Sequence, residues 1–147
     1  MKPDAVRVLQ GVSLSLLTQV LPEVATPFGQ QTTSVAAGLA AMVGEEFDRA
    51  ADRLVAENGA VRTILRDAMP LLAADLQASV TRALGTSAAG YRVSALQAEN
   101  DALRGALVDV HAAISAIDSD AARTIDGRIW EELVESTRRR EWTMRIT

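Results

Sequence analysis

The chain has 147 residues and a formal net charge of −4, and 48% of its residues are hydrophobic. A chain of this size and apolarity is long enough for one folded domain, and its negative charge argues against general affinity for nucleic acid. The absence of cysteine excludes disulfides, thiolate zinc sites, iron–sulfur clusters and cysteine nucleophiles.

The N-terminal segment is predicted to form an amphipathic helix. Asp4 is a suitable N-cap, and apolar residues recur at helical spacing until the Leu21-Pro22 pair ends the helix. Gln10 and Gln19 interrupt the apolar stretch, and no segment approaches the roughly 18 uninterrupted apolar residues of a membrane span. We therefore expect a soluble, cytoplasmic protein that does not associate with a membrane.

A second helix is predicted after a loop around Pro27 and Gly29. We expect it to begin near residues 32–34 and to end at about residue 57, because an Asn-Gly pair at positions 58 and 59 is a good C-terminal stop. Large apolar residues share one face of this helix, including Val35, Leu39, Val43 and Phe47. The composition of the whole chain, in which alanines supply much of the apolar content, is separately consistent with burial of some apolar surface between subunits.

Three further helical stretches complete the chain. The third begins near residue 61 and is interrupted by Pro70, the fourth spans about residues 91–117, and Asp118 or Ser119 caps the fifth. We expect Gly127 to kink or divide the fifth helix, and residues 136–147 to form a frayed tail. No strand pattern competes. The first, second and fourth helices are expected to supply most of the core.

The fourth helix carries a seven-residue apolar repeat. With Val93 at heptad position a, the a and d positions are Val93, Leu96, Asn100, Leu103, Leu107, Val110, Ile114 and Ile117. Alanines at neighbouring positions, such as Ala106 and Ala113, widen the apolar arc beyond a two-stranded seam. We favour the central helix of a bundle over a free-standing zipper, while a dimer of two bundles through this helix stays open.

Asn100 is the only polar residue on that repeat, and a buried amide requires hydrogen-bond partners. The favoured interpretation is a structural hydrogen bond across helices or across a two-fold axis. The alternative is a ligand contact in a pocket between helices, where Tyr91 is a second candidate lining residue.

Candidate chemistry is sparse. His111 is the one histidine, and it lacks the second histidine and the spacing of a di-iron site. No glycine motif for nucleotides or for a serine nucleophile is present. We interpret His111 as a residue on the flank of its helix, and the acidic group at Glu45, Glu46, Asp48 and Asp52 as a solvated helix face. No catalytic residue, metal site or cofactor is predicted.

An arginine run lies near the C-terminus. Arg138, Arg139 and Arg140 complement the dipole at the end of a helix, and an anion-binding patch for a phosphate, a CoA tail or an acidic partner is the alternative. Two tryptophans flank the run. We expect Trp130 to pack in the core and leave Trp142 open as an interface anchor.

Several segments resemble a family of small helical bacterial proteins of unknown function. They are PDAVRVLQGV, VLPEV, SVAAGLAAMVGEEF and LLAADLQASVTRALG, followed by GY, and together they cover about residues 3–91. Members of that family are encoded near acyl-CoA dehydrogenases and aminoglycoside-phosphotransferase-like proteins. The resemblance implies an accessory role in acyl-CoA metabolism and no catalytic residues.

The sequence therefore predicts an all-α, antiparallel bundle of about five helices in a single domain over residues 1–147. The favoured function is that of a non-enzymatic accessory or protein-interaction protein that forms a homodimer. The alternative is a bundle that binds a small acyl or CoA-like ligand between its helices. An enzymatic role is less favoured, and no nucleic-acid partner is expected.

Overall fold

The computed structural model describes residues 4–142, and in that range its regular secondary structure is all helical, with no strand. The five α-helices are α1 (Ala5–Ser15), α2 (Pro27–Ala68), α3 (Ala74–Gly85), α4 (Val93–Ser115) and α5 (Asp120–Arg139). A π turn (Leu16–Val20) and a 3-10 turn (Leu21–Glu23) follow α1, and a second 3-10 turn (Met69–Leu71) follows α2. The prediction of an all-α fold with five helices is confirmed.

The chain divides into two compact units. The first comprises the described residues up to Ala50 together with Trp142, and the second comprises residues 51–141. The long helix α2 contributes its N-terminal half to the first unit and its C-terminal half to the second. The prediction of a single domain stays a prediction.

Two predicted helix caps are confirmed. The Asp4 carboxylate accepts from the backbone N–H of Arg7 at 3.3 Å, and the Ser119 hydroxyl accepts from the N–H of Ala122 at 3.1 Å. Each cap satisfies one of the N–H groups that the first turn of a helix leaves without an intrahelical partner.

The predicted limits of α2 are wrong at both ends. The helix begins at Pro27, which needs no N–H in the first turn, and the Thr26 hydroxyl accepts from the N–H of Gly29 at 3.1 Å. The helix also continues through the Asn-Gly pair. Asn58 is buried and uses its side chain in contacts with α4, and Gly59 does not adopt the positive φ of a glycine stop.

In the first unit, α1 lies against α2 as in an antiparallel hairpin. The contact is close because α2 presents Gly44 there: an added Cβ would lie 3.4 Å from the Cβ of Leu9 and 3.8 Å from the carbonyl oxygen of Val6. Ser13 on α1 is buried, as are Ala37 and Ala41 on α2. α2 therefore presents small residues to the seam, and at Gly44 the side chain of Leu9 packs against it.

The second unit contains the main hydrophobic core. It is formed by the end of α2, the following turn, α3, α4 and α5, and its buried members include Leu65, Val80, Leu103 and Ile129. α4 packs against both α3 and α5. The expectation that the first helix supplies much of the core is wrong, since α1 contributes none of the described residues of this cluster.

Three expectations about α5 are corrected. The helix passes through Gly127 without a break and ends at Arg139, and Ser136, placed in the predicted frayed tail, is buried. Ile129 rather than Trp130 enters the core, and Trp130 is 56% exposed. Neighbouring helix positions point about 100° apart, and on α5 the direction of Ile129 is the one that faces the core. Residues 143–147 of the predicted tail lie outside the described residues.

Candidate functional site

α4 is buried on more than one side. Of the predicted a and d positions, Leu96, Asn100, Leu103, Leu107, Val110 and Ile114 are buried, whereas Val93 is exposed. Glu99 and Ala106, which precede two of the a positions, are buried as well. The helix therefore packs as the centre of a bundle, because a two-stranded zipper would leave those flanking positions open to solvent.

Asn100 is the centre of a buried polar cluster that links α4 to α2. Its side-chain N–H₂ donates to the side-chain oxygen of Asn58 at 2.8 Å and to Glu57 Oε2 at 3.2 Å. Asn58 in turn donates to the carbonyl oxygen of Leu96 at 3.1 Å. The amide donors of Asn100 are therefore used within the protein, which supports the structural interpretation of this residue.

Glu57 is the fully buried carboxylate of the same cluster. It accepts from the Ser136 hydroxyl and from both terminal nitrogens of Arg140, with 2.9 Å between Arg140 Nη2 and Glu57 Oε2, and Arg104 lies 3.5 Å away. Burial raises the pKa of this carboxyl, but hydrogen bonds from Arg140 and Ser136 and the charges of Arg140 and Arg104 outweigh it and lower the pKa below its ordinary value.

Sequence reasoning did not identify Glu57 or Ser136 as members of this cluster. The local pattern predicts Glu57 as the last residue of a helix and Ser136 as the first residue of a frayed tail. One signal was present: in a helix that continues beyond the Asn-Gly pair, Glu57 lies three residues after Leu54 and four before Val61, on the buried side.

The predicted arginine run does not form one patch. Arg140 pairs with buried Glu57, Arg139 pairs with Glu132 at 2.7 and 3.3 Å, and Arg138 lies 3.8 Å from Glu135. Each guanidinium already faces a carboxylate of its own chain. The anion-binding patch stays a prediction, and an added anion would compete with these pairs.

Tyr91 lies in a different environment from Asn100. It is 82% exposed in the segment before α4, where it lines a surface depression of about 680 Å³. The other lining residues are Ala89, Gly90, Arg92, Ser94 and Ala95. Asn100 is 1% exposed and is not part of that lining, so the structure does not bring the two predicted ligand residues together.

His111 has a tertiary partner on α5. Its Nε2 lies 2.9 Å from Asp126 Oδ1, and the edge of its ring meets Trp130 with centroids 5.4 Å apart. Ser115 is close by, but its hydroxyl donates to the backbone carbonyl of His111 at 2.8 Å and lies 3.5 Å from Asp126 Oδ1. These contacts do not place a serine hydroxyl on a ring nitrogen, which nucleophile activation requires.

The acidic residues of α2 do not gather around a metal position. Arg49 donates to Glu45 one turn away at 2.5 Å. Within residues 4–142 the structure contains no group of three or more His, Asp or Glu side chains placed to hold a metal ion.

The exposed surface of the first unit is unusually apolar. Val8, Val12, Leu39, Val43 and Phe47 are between 46% and 64% exposed, and we refer to these five side chains as the apolar face. Further large apolar residues around the same helices are also exposed, namely Leu14, Leu17, Val20, Phe28 and Val35. Contiguous exposed apolar groups mark protein–protein or membrane interaction sites.

Among residues 4–142, one stretch is long and apolar enough to cross a membrane by length and composition. It is Ala5–Glu23, with a mean hydropathy of 1.2 and only 6% of its residues buried. A single such stretch near an N-terminus does not distinguish a membrane helix or a signal sequence from a helix that packs against protein.

Comparison of the chain with protein-family models, with curated proteins and with solved structures finds no match. The resemblance to the helical bacterial family stays a prediction.

Proposed function

We propose that the protein acts by protein–protein association, as a non-enzymatic accessory protein that forms a homodimer. The observation that carries this proposal is the apolar face on α1 and α2, together with the other exposed apolar residues of the first unit. Exposed apolar surface is costly at about 25 cal/mol per Å², so its burial drives association.

The contacts of the polar candidates support a role without chemistry. Asn100 and Glu57 are used in the interior, and the arginines at the end of α5 are paired with carboxylates. Groups held in this way stabilise a fold, because their donors and acceptors are occupied. An accessory role in acyl-CoA metabolism and a cytoplasmic location belong to the same proposal, and the first rests on the family resemblance alone.

Light scattering coupled to size-exclusion chromatography tests the proposal. We expect a mass of about twice the 15.7 kDa of one chain at micromolar concentration. A mass of one chain at every concentration up to about 1 mM, where only very weak association would escape detection, would contradict it.

A second candidate function is binding of a small acyl or CoA-like ligand. The depression beside Tyr91 favours it, since its volume of about 680 Å³ lies in the range of ligand sites and Arg92 offers a cation for a phosphate. A thermal-shift screen with acyl-CoAs and fatty acids tests this candidate, with Tyr91→Ala as the matched variant. An equal shift in both proteins would place any bound ligand elsewhere.

A further inference from the structure

We infer that the homodimer forms through the apolar face, with the α1–α2 hairpins of two chains closing into a four-helix bundle. This inference rests on the proposed self-association and adds the surface and the partner segment. It concerns α1 and the N-terminal half of α2 only.

The five side chains of the apolar face lie on one side of the hairpin. Successive residues of a helix are rotated by about 100° around its axis. On α1, the side chains of Val8 and Val12 lie about 90–130° around the axis from the direction that faces α2. Val43 and Phe47 on α2 are turned by the same angle in the same sense. In two antiparallel helices, side chains rotated by the same angle in the same sense lie on the same side of the pair. Leu39 lies next to them, at the border of that side.

One pair of charged residues of the hairpin lies away from the apolar face. Glu45 and Arg49 pair with one another one turn apart, and by the same rotation they lie on the opposite side from Val43. Ala36 and Ala40 take the positions between the large residues of the apolar face. The hairpin therefore carries the Glu45–Arg49 pair on one side and large and small apolar residues on the other.

The distribution of side-chain size along α2 leaves its large apolar residues outside the hairpin. On α2, Gly44 receives the side chain of Leu9 from α1, and Ala37 and Ala41 are buried, whereas the larger Phe47 and Val43 are exposed. A hairpin that buried its own core would place its large residues in the seam. Two hairpins packed face to face bury those residues in the centre, as four-helix bundles do.

The area of the apolar face suits a second copy of the chain. Its five side chains expose on the order of 500 Å², which matches the nonpolar part of a standard interface of about 800 Å² per partner. A two-fold axis brings the same residues of both chains together, so an apolar face can meet itself without unpaired charges.

Charge argues against a lipid bilayer as the occupant. Residues 1–50 contain the carboxylates Asp4, Glu23, Glu45, Glu46 and Asp48 and the basic residues Lys2, Arg7 and Arg49. Surface-bound amphipathic helices instead carry an excess of lysine and arginine, which anionic headgroups attract. A net negative hairpin is repelled by such a surface.

Paired charge substitutions test the inference. The variant Leu39→Asp with Val43→Asp places two carboxylates on the apolar face, and Val108→Asp with Val134→Asp places two on similarly exposed residues of the second unit. We expect the first variant to raise the dimer dissociation constant at least ~10-fold, since buried unpaired charges oppose association, and the second to leave it unchanged. Circular dichroism verifies that both variants keep their helices.

Cross-linking gives an independent measurement. Because the chain has no cysteine, Val43→Cys supplies a single thiol, and a short bis-maleimide should link two copies of this variant and not of Val108→Cys. If the two double-aspartate variants have the same dimer dissociation constant, or the two cysteine variants cross-link equally, the hairpin interface is wrong. The proposed self-association would still hold in that case. A monomeric wild type overturns both. Binding of that monomer to phosphatidylcholine or phosphatidylserine vesicles would assign the apolar face to a bilayer instead.

Discussion

The side-chain amide of Asn100 on α4 donates to the side-chain oxygen of Asn58 on α2 across 2.8 Å, and both residues are buried. This bond joins a position of the apolar repeat to a residue that resembles a helix stop. It explains two features together: the amide on the repeat is satisfied, and α2 continues past the Asn-Gly pair because Asn58 faces the interior.

Removing the amide should destabilise the second unit. We expect Asn100→Ala to lower the free energy of unfolding by about 1–3 kcal/mol, since Asn58 and Glu57 each lose a donor. Asn100→Asp should be worse at neutral pH, because it sets a second carboxylate against Glu57. Urea unfolding measures both, with exposed Gln97→Ala on the same helix as the control within about 0.5 kcal/mol. Equal stability of Asn100→Ala and Gln97→Ala would contradict the role assigned to Asn100.

Glu57 should make stability depend on acid pH. Its pKa is lower in the folded protein than the ordinary value of 4.5, so its charged contacts stabilise the fold at neutral pH. That contribution to stability is lost as the pH falls below the ordinary pKa and then through the lower pKa that Glu57 has in the folded protein. We expect the free energy of unfolding to decline less between about pH 5 and pH 3 in Glu57→Gln than in the wild type. Parallel pH curves for the two proteins would disprove the assignment.

Glycines inside helices should be replaceable with a gain in stability. A Cβ added at Gly59 or Gly127 meets no neighbouring atom, and both residues lie in helices. Gly59→Ala and Gly127→Ala should each stabilise the protein by about 0.5–1 kcal/mol, because alanine has the higher helix propensity. Gly90 has a φ of 147°, which disfavours a side chain, so Gly90→Ala should destabilise. Thermal unfolding ranks the three variants, and a stabilising Gly90→Ala would be inconsistent with the backbone described.

The thermal midpoint should depend on protein concentration. Mass action stabilises a dimer by about 2.7 kcal/mol for each hundredfold rise in concentration, which corresponds to a shift of roughly 5 °C. Scanning calorimetry of the wild type over that range measures the shift. Leu39→Asp with Val43→Asp should abolish most of it, and a wild-type midpoint independent of concentration would argue for a monomer.

The apolar periodicity of the sequence was sufficient to predict much of the fold. Five helices, the caps at Asp4 and Ser119 and the buried repeat on α4 all follow from local patterns, because these depend on residues three to seven positions apart. The surplus of exposed apolar surface was also anticipated from composition. What failed were the ends of α2, the inward residue of α5 and the start of the tail.

Local pattern by itself determined which segments are helical and which of their faces are apolar. Only the tertiary structure decided which apolar face is buried. On α2, the small residues Ala37 and Ala41 pack inside the hairpin, and Val43 and Phe47 remain outside. The physical reason is that the hydrophobic effect is non-directional and favours burial against any apolar surface. Close packing, in contrast, depends on the shapes of side chains that come from distant parts of the chain. Asn58 shows the same difference: its local sequence predicts the end of a helix, whereas the tertiary structure makes it the hydrogen-bond partner of Asn100.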